Sequence, residues 1–199
     1  MSPQTTRKKR GPYARSARTR QQAVDAAIDL FSTNGYRGTT LTDVAERLDM
    51  TLTGLQYHFR DKDMLLTAVL EDRDRVTKTR EGHDDDPVER FLDVLVYNQE
   101  NRELTALFCV LSSEATDPQH PAHDFFVQRY RAQRAAGLAY YQSLVDSGKA
   151  TGKLPPEVFA TQLIALSDGL QLQWLLDPDN VDMRTAMRHY LISVIQPEL

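Results

Sequence analysis

The side chains with the clearest capacity for chemistry lie between positions 51 and 58. Hydroxyl, amide, phenol and imidazole groups occur there at short spacing, around one apolar residue. These residues are Thr51, Leu52, Thr53, Gln56, Tyr57 and His58. Their donors and acceptors suit the base edges and phosphates of nucleic acid better than they suit bond-breaking chemistry. Gln56 is the strongest candidate for base recognition, because its amide can pair with adenine through two hydrogen bonds.

The charge distribution favours a polyanionic partner for the same end of the chain. Residues 1–60 carry a formal net charge of +5, whereas residues 61–199 carry −9. Residues 1–15 combine five basic side chains with Pro and Gly, and we predict a flexible basic arm there. Such an arm either adds phosphate or minor-groove contacts or is a solvated tail. The asymmetry indicates DNA binding by the N-terminal part, although the formal net charge of the whole chain is −4.

The other reactive side chains do not form a recognisable catalytic or metal-binding motif. His120 and His123 are three positions apart, but the prolines beside them disfavour a regular helix, and no third ligand is near. The acidic run 84–86 lacks the spacing and glycine of a calcium loop. No nucleophile motif surrounds Ser112 or Ser113. We therefore expect no catalytic residue, no metal site and no cofactor.

Composition and apolar patterning predict an ordinary globular protein. Hydrophobic residues make up 41% of the chain and charged residues 26%. No apolar run is long enough to span a bilayer, and no secretory signal follows the basic N-terminus. We expect a cytoplasmic, nucleoid-associated protein without a membrane partner.

Three predicted helices must position the residues between 51 and 58. Apolar periodicity predicts a first helix over 16–34, which Gly35 ends in a left-handed conformation. Two short helical patterns follow, over 42–48 and from 51 or 52 to 58, with a link of about three residues. Helices this short are unstable alone, so they must dock on the first helix as a three-helix unit.

The inner face of this unit determines which side chains point outward. Leu55 and Phe59 are the apolar residues of the third helix and are predicted to face the core. A long fourth helix is predicted to begin at Asp61 or Asp63 and to run towards Arg80.

The rest of the chain also has helical periodicity. Five further helices are predicted over 88–101, 104–115, 122–147, 156–176 and 182–195. No alternating pattern indicates a strand. The predicted fold class is all-α, with about nine helices.

The segment from Phe31 to Leu66, FSTNGYRGTTLTDVAERLDMTLTGLQYHFRDKDMLL, resembles the TetR family of bacterial transcriptional regulators. The resemblance is carried by N-G-Y, T-x-x-D-V-A-E-R-L, L-x-Y-H-F and K-D-M-L-L at fixed spacing. It implies a sequence-specific DNA-binding regulator and not an enzyme. The implied domains are the arm 1–15, a helix-turn-helix domain 16–61 and a helical effector-binding and dimerisation domain 62–199.

The resemblance also implies which residues contact the phosphates. They open the second helix, end the third and open the fourth: Thr40, Thr42, Tyr57, His58 and Lys62. The sequence departs from the family pattern at Gln56, where tyrosine is common, at Asp49, where glycine is usual, and in the order Thr53-Gly54. Asp tolerates the left-handed turn conformation. Leu52 replaces a frequent polar residue, and it either packs on the turn or contacts a thymine methyl.

The resemblance implies an Ω-shaped homodimer on a pseudo-palindromic operator. The last two helices would pair with their symmetry mates as a four-helix bundle. The residues suited to that interface are Leu163, Leu166, Leu170, Ile192 and Ile195.

An unidentified small-molecule effector is predicted to bind between the helices of the second domain, where bundles most often hold ligands. The candidate ligand-binding residues are Phe91, Phe108, Tyr130, Gln171 and Trp174. Aromatic residues at this spacing are more often core packing. Ligand binding would release a repressor from its operator. The alternatives are a regulator controlled by a protein partner or by constitutive occupancy, and an enzyme.

Overall fold

The computed structural model describes residues 12–80 and 87–195, and these residues form nine α-helices and no β-strand, as predicted. The helices are α1 (Pro12–Gly38), α2 (Leu41–Arg47), α3 (Leu52–Gln56), α4 (Lys62–Arg80), α5 (Pro87–Glu100), α6 (Arg102–Glu114), α7 (His123–Asp146), α8 (Pro156–Leu176) and α9 (Met183–Ile195). The chain divides into two compact units, Met1–Val69 and Leu70–Leu199. The boundary lies within α4, so the first eight residues of α4 belong to the first unit.

The first helix begins earlier than its apolar periodicity indicates. The predicted arm includes residues 12–15, but these residues are the first turn of α1. Proline suits this position because its fixed φ matches a helix start and its missing N–H has no partner to lose there. The hydroxyl of Thr19 donates to the carbonyl of Arg15 at 3.1 Å, which is helical spacing. Residues 1–11 of the predicted arm lie outside the described residues.

The first unit is a three-helix core closed by the start of α4. Helix α1 is interrupted at Gly35 and resumes to Gly38. The φ of 75° at Gly35 is positive, as predicted, but the ψ of 163° is extended and not that of a left-handed helical cap, and essentially only glycine adopts this combination. The buried Thr39 hydroxyl secures the following turn by donating to the carbonyls of Leu30 and Gly35, at 3.2 and 3.1 Å. Helices α2 and α3 pack on this frame. The fully buried core side chains include Phe31, Val44, Leu55, Phe59, Leu65 and Leu66.

The second unit is built around the α7–α8 and α5–α9 pairs. Tyr141 of α7 stacks on Phe159 of α8, with ring centroids 4.2 Å apart. A Cβ on Gly137 would lie 3.2 Å from the Cβ of Ala160, so the α7–α8 approach depends on this glycine. In the part of the chain that the structure describes, no helix has the length and apolarity needed to cross a bilayer.

Candidate nucleic-acid interface and internal cavity

The start of α2 is fixed by a reciprocal cap. The Thr40 hydroxyl accepts from the Asp43 backbone N–H at 3.2 Å, and the Thr40 N–H donates to the Asp43 carboxylate at 2.7 Å. These hydrogen bonds to Thr40, the backbone one foremost, hold the pKa of Asp43 below its usual value. The Thr40 hydroxyl still has its own proton to donate. Thr42, two residues later, is also exposed. Both threonines are thus presented to solvent at the helix start.

The turn between α2 and α3 uses the left-handed residue that the sequence analysis accepted. Asp49 has a φ of 52° and is the one non-glycine residue with positive φ among those described. The next residue, Met50, donates its N–H to the carbonyl of Ala45 at 2.9 Å. This bond closes the turn tightly enough to fix the angle between the two short helices.

Helix α3 buries one side and exposes the other as predicted. Leu55 and Phe59 have no exposed surface, and the guanidinium of Arg20 lies 4.8 Å from the centre of the Phe59 ring. The exposed side chains are Thr51, Leu52, Thr53, Gln56 and Tyr57. Tyr57 is 84% exposed, which is unusual for an aromatic side chain without a partner surface.

The remaining residues of this surface are held by local contacts. The Thr51 hydroxyl accepts from the Gly54 N–H at 3.1 Å and caps α3. A Cβ on Gly54 would lie 3.2 Å from that hydroxyl oxygen, so the order Thr53-Gly54 suits this cap. The half-buried His58 ring meets Tyr57 edge to face at 5.3 Å. The surface therefore presents hydroxyl, amide and phenol groups from a rigid backbone.

Lys62 has a structural role that the sequence analysis did not foresee. Its ammonium donates to the backbone carbonyls of Tyr36 and Thr39, both at 2.9 Å, and lies 4.3 Å from the centre of the Tyr36 ring. The Tyr36 hydroxyl in turn donates to Asp63, and burial together with this carboxylate raises the pKa of Tyr36. These contacts tie the start of α4 to the end of α1. The phosphate contact of Lys62 remains a prediction. Two N–H groups of its ammonium bind the two carbonyls, and the third is left for a phosphate.

We expect Lys62→Met to lower the free energy of unfolding of the first unit by about 2–3 kcal/mol, because two carbonyls lose a charged donor. Urea unfolding measures this change. Arg60→Met is the matched control, since the Arg60 side chain is 89% exposed, and it should change stability by less than about 0.5 kcal/mol. An unchanged stability in the Lys62 variant would contradict the structural role. A salt slope of DNA binding reduced by about 0.9 per lost contact would support the phosphate contact as well.

The second unit contains a cavity of about 470 Å³. Its walls come from α4 to α9, and every residue on them belongs to this unit. Two alanines of α7 on its wall, Ala132 and Ala136, are also exposed, so the cavity opens to solvent along that face. The size is within the range of small-molecule sites.

One end of the cavity is formed by buried charges. The Asp74 carboxylate accepts from Arg129 Nε at 2.9 and 3.0 Å and lies 3.6 Å from Arg73 Nη1. Burial, and then the Arg129 charge, lower the pKa of Arg73 to about 10. Both guanidinium groups lie over the Phe108 ring, at 3.8 and 4.5 Å from its centre.

A second carboxylate, Asp168, lines the same end. It accepts a hydrogen bond from the Tyr130 hydroxyl at 2.7 Å. Burial raises the pKa of Asp168, and the Tyr130 hydrogen bond and the two arginines oppose that effect only in part. Burial and the nearby carboxylate raise the pKa of Tyr130 as well.

The cavity includes some of the predicted ligand-binding residues. Phe91, Phe108 and Gln171 line it. Tyr130 is not on its wall but contacts two wall residues, Asp168 and Arg129. Trp174 is not on the wall either and lies under the Arg102 guanidinium, 5.1 Å from the ring centre. The sequence analysis missed the polar residues of the wall: Arg73, Asp74, Asn98, Arg129, Gln133, Ser167 and Asp168. Arg73 could have been noticed, because it continues the apolar stripe of Leu66 and Leu70 along α4.

The predicted interface residues of α8 and α9 occupy different environments. Leu170 and Ile195 are 6% and 1% exposed within a single chain, and Leu163 lines the cavity. Leu166 packs against the core with part of its surface. Ile192, at 39% exposure, is the one of the five that is open to solvent. Exposed apolar side chains on α8 are instead Val158, Leu172 and Leu176.

The two histidines near the prolines are engaged by neighbouring groups. His123 Nδ1 donates to the carbonyl of Ala115 at 2.8 Å, and His120 Nε2 lies 3.5 Å from Glu114. Within residues 12–80 and 87–195, no three His, Cys, Asp or Glu side chains group as a metal site would require. The acidic run 84–86 lies outside the described residues.

Comparison with known proteins gives matches along nearly the whole chain. The family model for bacterial regulatory proteins of the tetR family matches residues 23–69, and that for the C-terminal part of BetI-type transcriptional repressors matches residues 87–196. The HTH-type transcriptional regulator TtgR of Pseudomonas putida is 28% identical over 180 residues, covering 83% of this chain and 84% of TtgR. The regulator BetI of Burkholderia ambifaria is 27% identical over 174 residues, covering 85% of this chain and 88% of BetI.

Solved structures share the fold. The SmeT–triclosan complex superposes with a TM-score of 0.75 at 20% identity, covering 90% of this chain and 92% of SmeT. A transcriptional regulator from Saccharomonospora viridis in complex with choline gives a TM-score of 0.71 at 18% identity, covering 90% of this chain and 99% of that one.

Proposed function

The chain belongs to the TetR family of bacterial transcriptional regulators, and from this premise we propose a homodimer that leaves a pseudo-palindromic operator when a small molecule fills the cavity. The family membership makes the chain a DNA-binding transcriptional repressor and not an enzyme. Its place of action is then the DNA of the bacterial cytoplasm, and the proposed activity needs no cofactor. We place the functional division after Val69, within α4.

The observation that carries the DNA-binding proposal is the two-sided character of α3. Leu55 and Phe59 anchor it, while Thr51, Thr53 and Gln56 are exposed together on the opposite side. A helix presented in this way can enter the major groove, where its first residues reach the base edges. Thr40, Thr42, Tyr57, His58 and Lys62 are the proposed phosphate contacts, and the Leu52 side chain, 39% exposed, is available to a thymine methyl. Residues 1–11, which include four basic residues, are proposed to add DNA contacts of their own.

Gln56→Ala tests the assignment of base reading. We expect the variant to lose about 1–3 kcal/mol of operator binding per half-site and to accept other bases at the matching position. The measurement is binding to the operator and to single-base variants at one fixed salt concentration, after the bound sites have been mapped on the genome. Gln142→Ala, an exposed glutamine of α7, is the control and should bind as the unchanged protein does. A uniform loss across all bases would assign Gln56 to the phosphates instead.

An exposed stripe on α8 supports the homodimer. It comprises the exposed residues Val158, Gln162, Ala165, Leu172 and Leu176 and the partly buried Gly169, which alternate spacings of four and three residues. This spacing is typical of a helix that packs lengthwise on another helix. A Cβ on Gly169 would meet nothing within 4 Å, so packing inside the protomer does not require the glycine. Close approach of a partner helix would require the glycine. Ile192 of α9 is a further exposed apolar side chain available to a partner.

Leu172→Glu is expected to convert the dimer into a monomer, because it places a charge within the apolar part of the stripe. Leu172 is 53% exposed, so folding of the protomer should be retained. Sedimentation equilibrium measures the change. Val110→Glu is matched to it, since Val110 is 57% exposed on α6, and it should leave the dimer intact. A dimer that persists in the Leu172 variant would place the interface elsewhere.

The proposed release of DNA uses α4 as the connecting element. Lys62, at its start, is bonded to the end of α1, and Arg73 and Asp74, about 16 Å further along the same helix, line the cavity. A ligand that favours one position of Arg73 and Asp74 therefore acts on the same helix that carries Lys62. Bound triclosan and choline in proteins of this fold support a small-molecule site. Full release requires roughly 10⁴-fold preference of the ligand for the non-binding state.

A further inference from the structure

The cavity has one polar end and one apolar end. Arg129 and Tyr140 both line it from α7, and eleven residues of helix separate them by about 16 Å. Around Tyr140 the wall is aromatic, since Phe91 meets Tyr140 edge to face at 5.3 Å. Around Arg129 lie the buried charges. The shape and polarity fit an elongated molecule with a single polar head.

Asn98 places a buried hydrogen-bond donor without an acceptor at the polar end. It is 1% exposed and lines the cavity, and its Oδ1 accepts from Arg73 Nη2 at 3.1 Å. This bond fixes the orientation of the amide, so Nδ2 is the group that remains as donor. Nδ2 has no acceptor among the described residues. A buried amide donor is costly to leave unbonded, and a ligand acceptor would satisfy it.

The negative groups of this end are already engaged. Arg129 donates to both oxygens of Asp74, and Asp168 accepts from Tyr130. The ring nearest the arginines, Phe108, already has two guanidinium groups over it. A cationic head group would therefore have to share Asp74 with Arg129 and Asp168 with Tyr130, it would find no uncovered ring at Phe108, and the two arginines would repel it.

We propose that the effector is an elongated aromatic carboxylate, whose head accepts from Asn98 beside Arg73 and Arg129 and whose ring system lies towards Phe91 and Tyr140. This proposal rests on the proposed function, because it assigns a ligand class to the same cavity. It excludes quaternary ammonium ligands from tight binding at this site.

The test uses three probes with one apolar body: biphenyl-4-carboxylate, biphenyl-4-methanol and biphenyl-4-yl-trimethylammonium. Calorimetric titration of the full chain, without DNA, is expected to give the carboxylate at least tenfold tighter binding than the ammonium, with the alcohol between them. Equal or tighter binding of the ammonium would overturn the proposal. Failure of the carboxylate to bind below about 1 mM, a free energy of about −4 kcal/mol, would also overturn it.

Asn98→Asp locates the preference. The substitution keeps the acceptor for Arg73, removes the Nδ2 donor and adds a negative charge. The ratio of carboxylate affinity to ammonium affinity should therefore fall at least tenfold. Gln133→Glu is a second isosteric change on the wall, where Gln133 Oε1 accepts from Arg129 at 2.8 Å, and it should act in the same direction. Asn101→Asp is the control, because Asn101 bonds the Tyr97 carbonyl away from the cavity. An unchanged preference in both wall variants would contradict the proposal.

The ligand class and the release of DNA fail separately. If the carboxylate binds with the expected preference and the operator stays bound, the ligand class stands and the release step of the proposed function is wrong.

Discussion

Asp74→Ala is expected to lower the free energy of unfolding of the second unit by about 3–5 kcal/mol. The side chains of Arg73, Asp74 and Arg129 are 2%, 18% and 10% exposed, and Asp74 is the carboxylate placed between the two guanidinium groups. Its removal leaves two positive charges in a poorly hydrated site. The loss is a large part of the roughly 5–15 kcal/mol that usually stabilises a domain. Urea unfolding followed by the fluorescence of Trp174, the single tryptophan of the chain, measures it in this unit.

Asp72→Ala is the matched control on the same helix. Asp72 pairs with Arg75, whose side chain is 63% exposed, and such a pair contributes at most about 1 kcal/mol. If both variants lose the same stability, the Asp74 site is hydrated and the cavity is less enclosed than its geometry indicates.

Phe59→Ala is expected to cost the first unit about 3–5 kcal/mol and to abolish operator binding at the growth temperature. Phe59 has no exposed surface and closes the core under α3. A unit of about 70 residues has a small free energy of unfolding, so the void left by the missing Phe59 ring is sufficient to unfold it. Calorimetry should show the transition of the first unit lowered or lost, while Trp174 fluorescence reports an unchanged second unit.

Tyr57→Ala, two residues before Phe59, tests DNA binding without disturbing the folding of the first unit. Tyr57 is 84% exposed, so its truncation should change stability by less than about 0.5 kcal/mol. Operator affinity should nevertheless fall, because the phenol is a proposed phosphate contact. A Tyr57 variant as unstable as the Phe59 variant would mean that the Tyr57 ring packs on the protein and does not contact DNA.

The helix-turn-helix could be predicted from sequence because each local signal agreed with the fold. Gly35 and Asp49 have the positive φ expected of them, and Leu55 and Phe59 are buried as their spacing indicates. The start of α1 was predicted too late, since the basic residues before Ser16 offered no apolar periodicity and Pro12 was interpreted as part of a flexible arm.

The exposed apolar stripe of α8 could not be predicted from the sequence, for a physical reason. The helix is apolar on several sides, so the sequence does not distinguish the stripe of Leu163, Leu166 and Leu170 from the stripe one residue, or about 100°, around the helix. The first stripe serves the cavity and the core, and the second is exposed.

The charged end of the cavity had one signal in the sequence, the position of Arg73 on the apolar stripe of α4, but the neighbouring residues mask it. Arg73 and Asp74 lie in a run of alternating charges, EDRDR, that is typical of a solvated helix surface. Their burial depends on Arg129, which is more than fifty positions away in sequence and is brought to Asp74 only by the fold.

Helix α8 carries the cavity on one face, through Asp168 and Gln171, and the exposed apolar stripe on another, through Leu172 and Leu176. In the proposed dimer, a displacement of this one helix changes the free energy of ligand binding and the free energy of subunit association together. Thermodynamic linkage makes the two effects reciprocal: the factor by which an effector alters the dimerisation constant is the factor by which dimerisation alters effector affinity. The effector concentration needed for half response would then shift with the amount of repressor present, so that expression level itself sets the sensitivity of the switch.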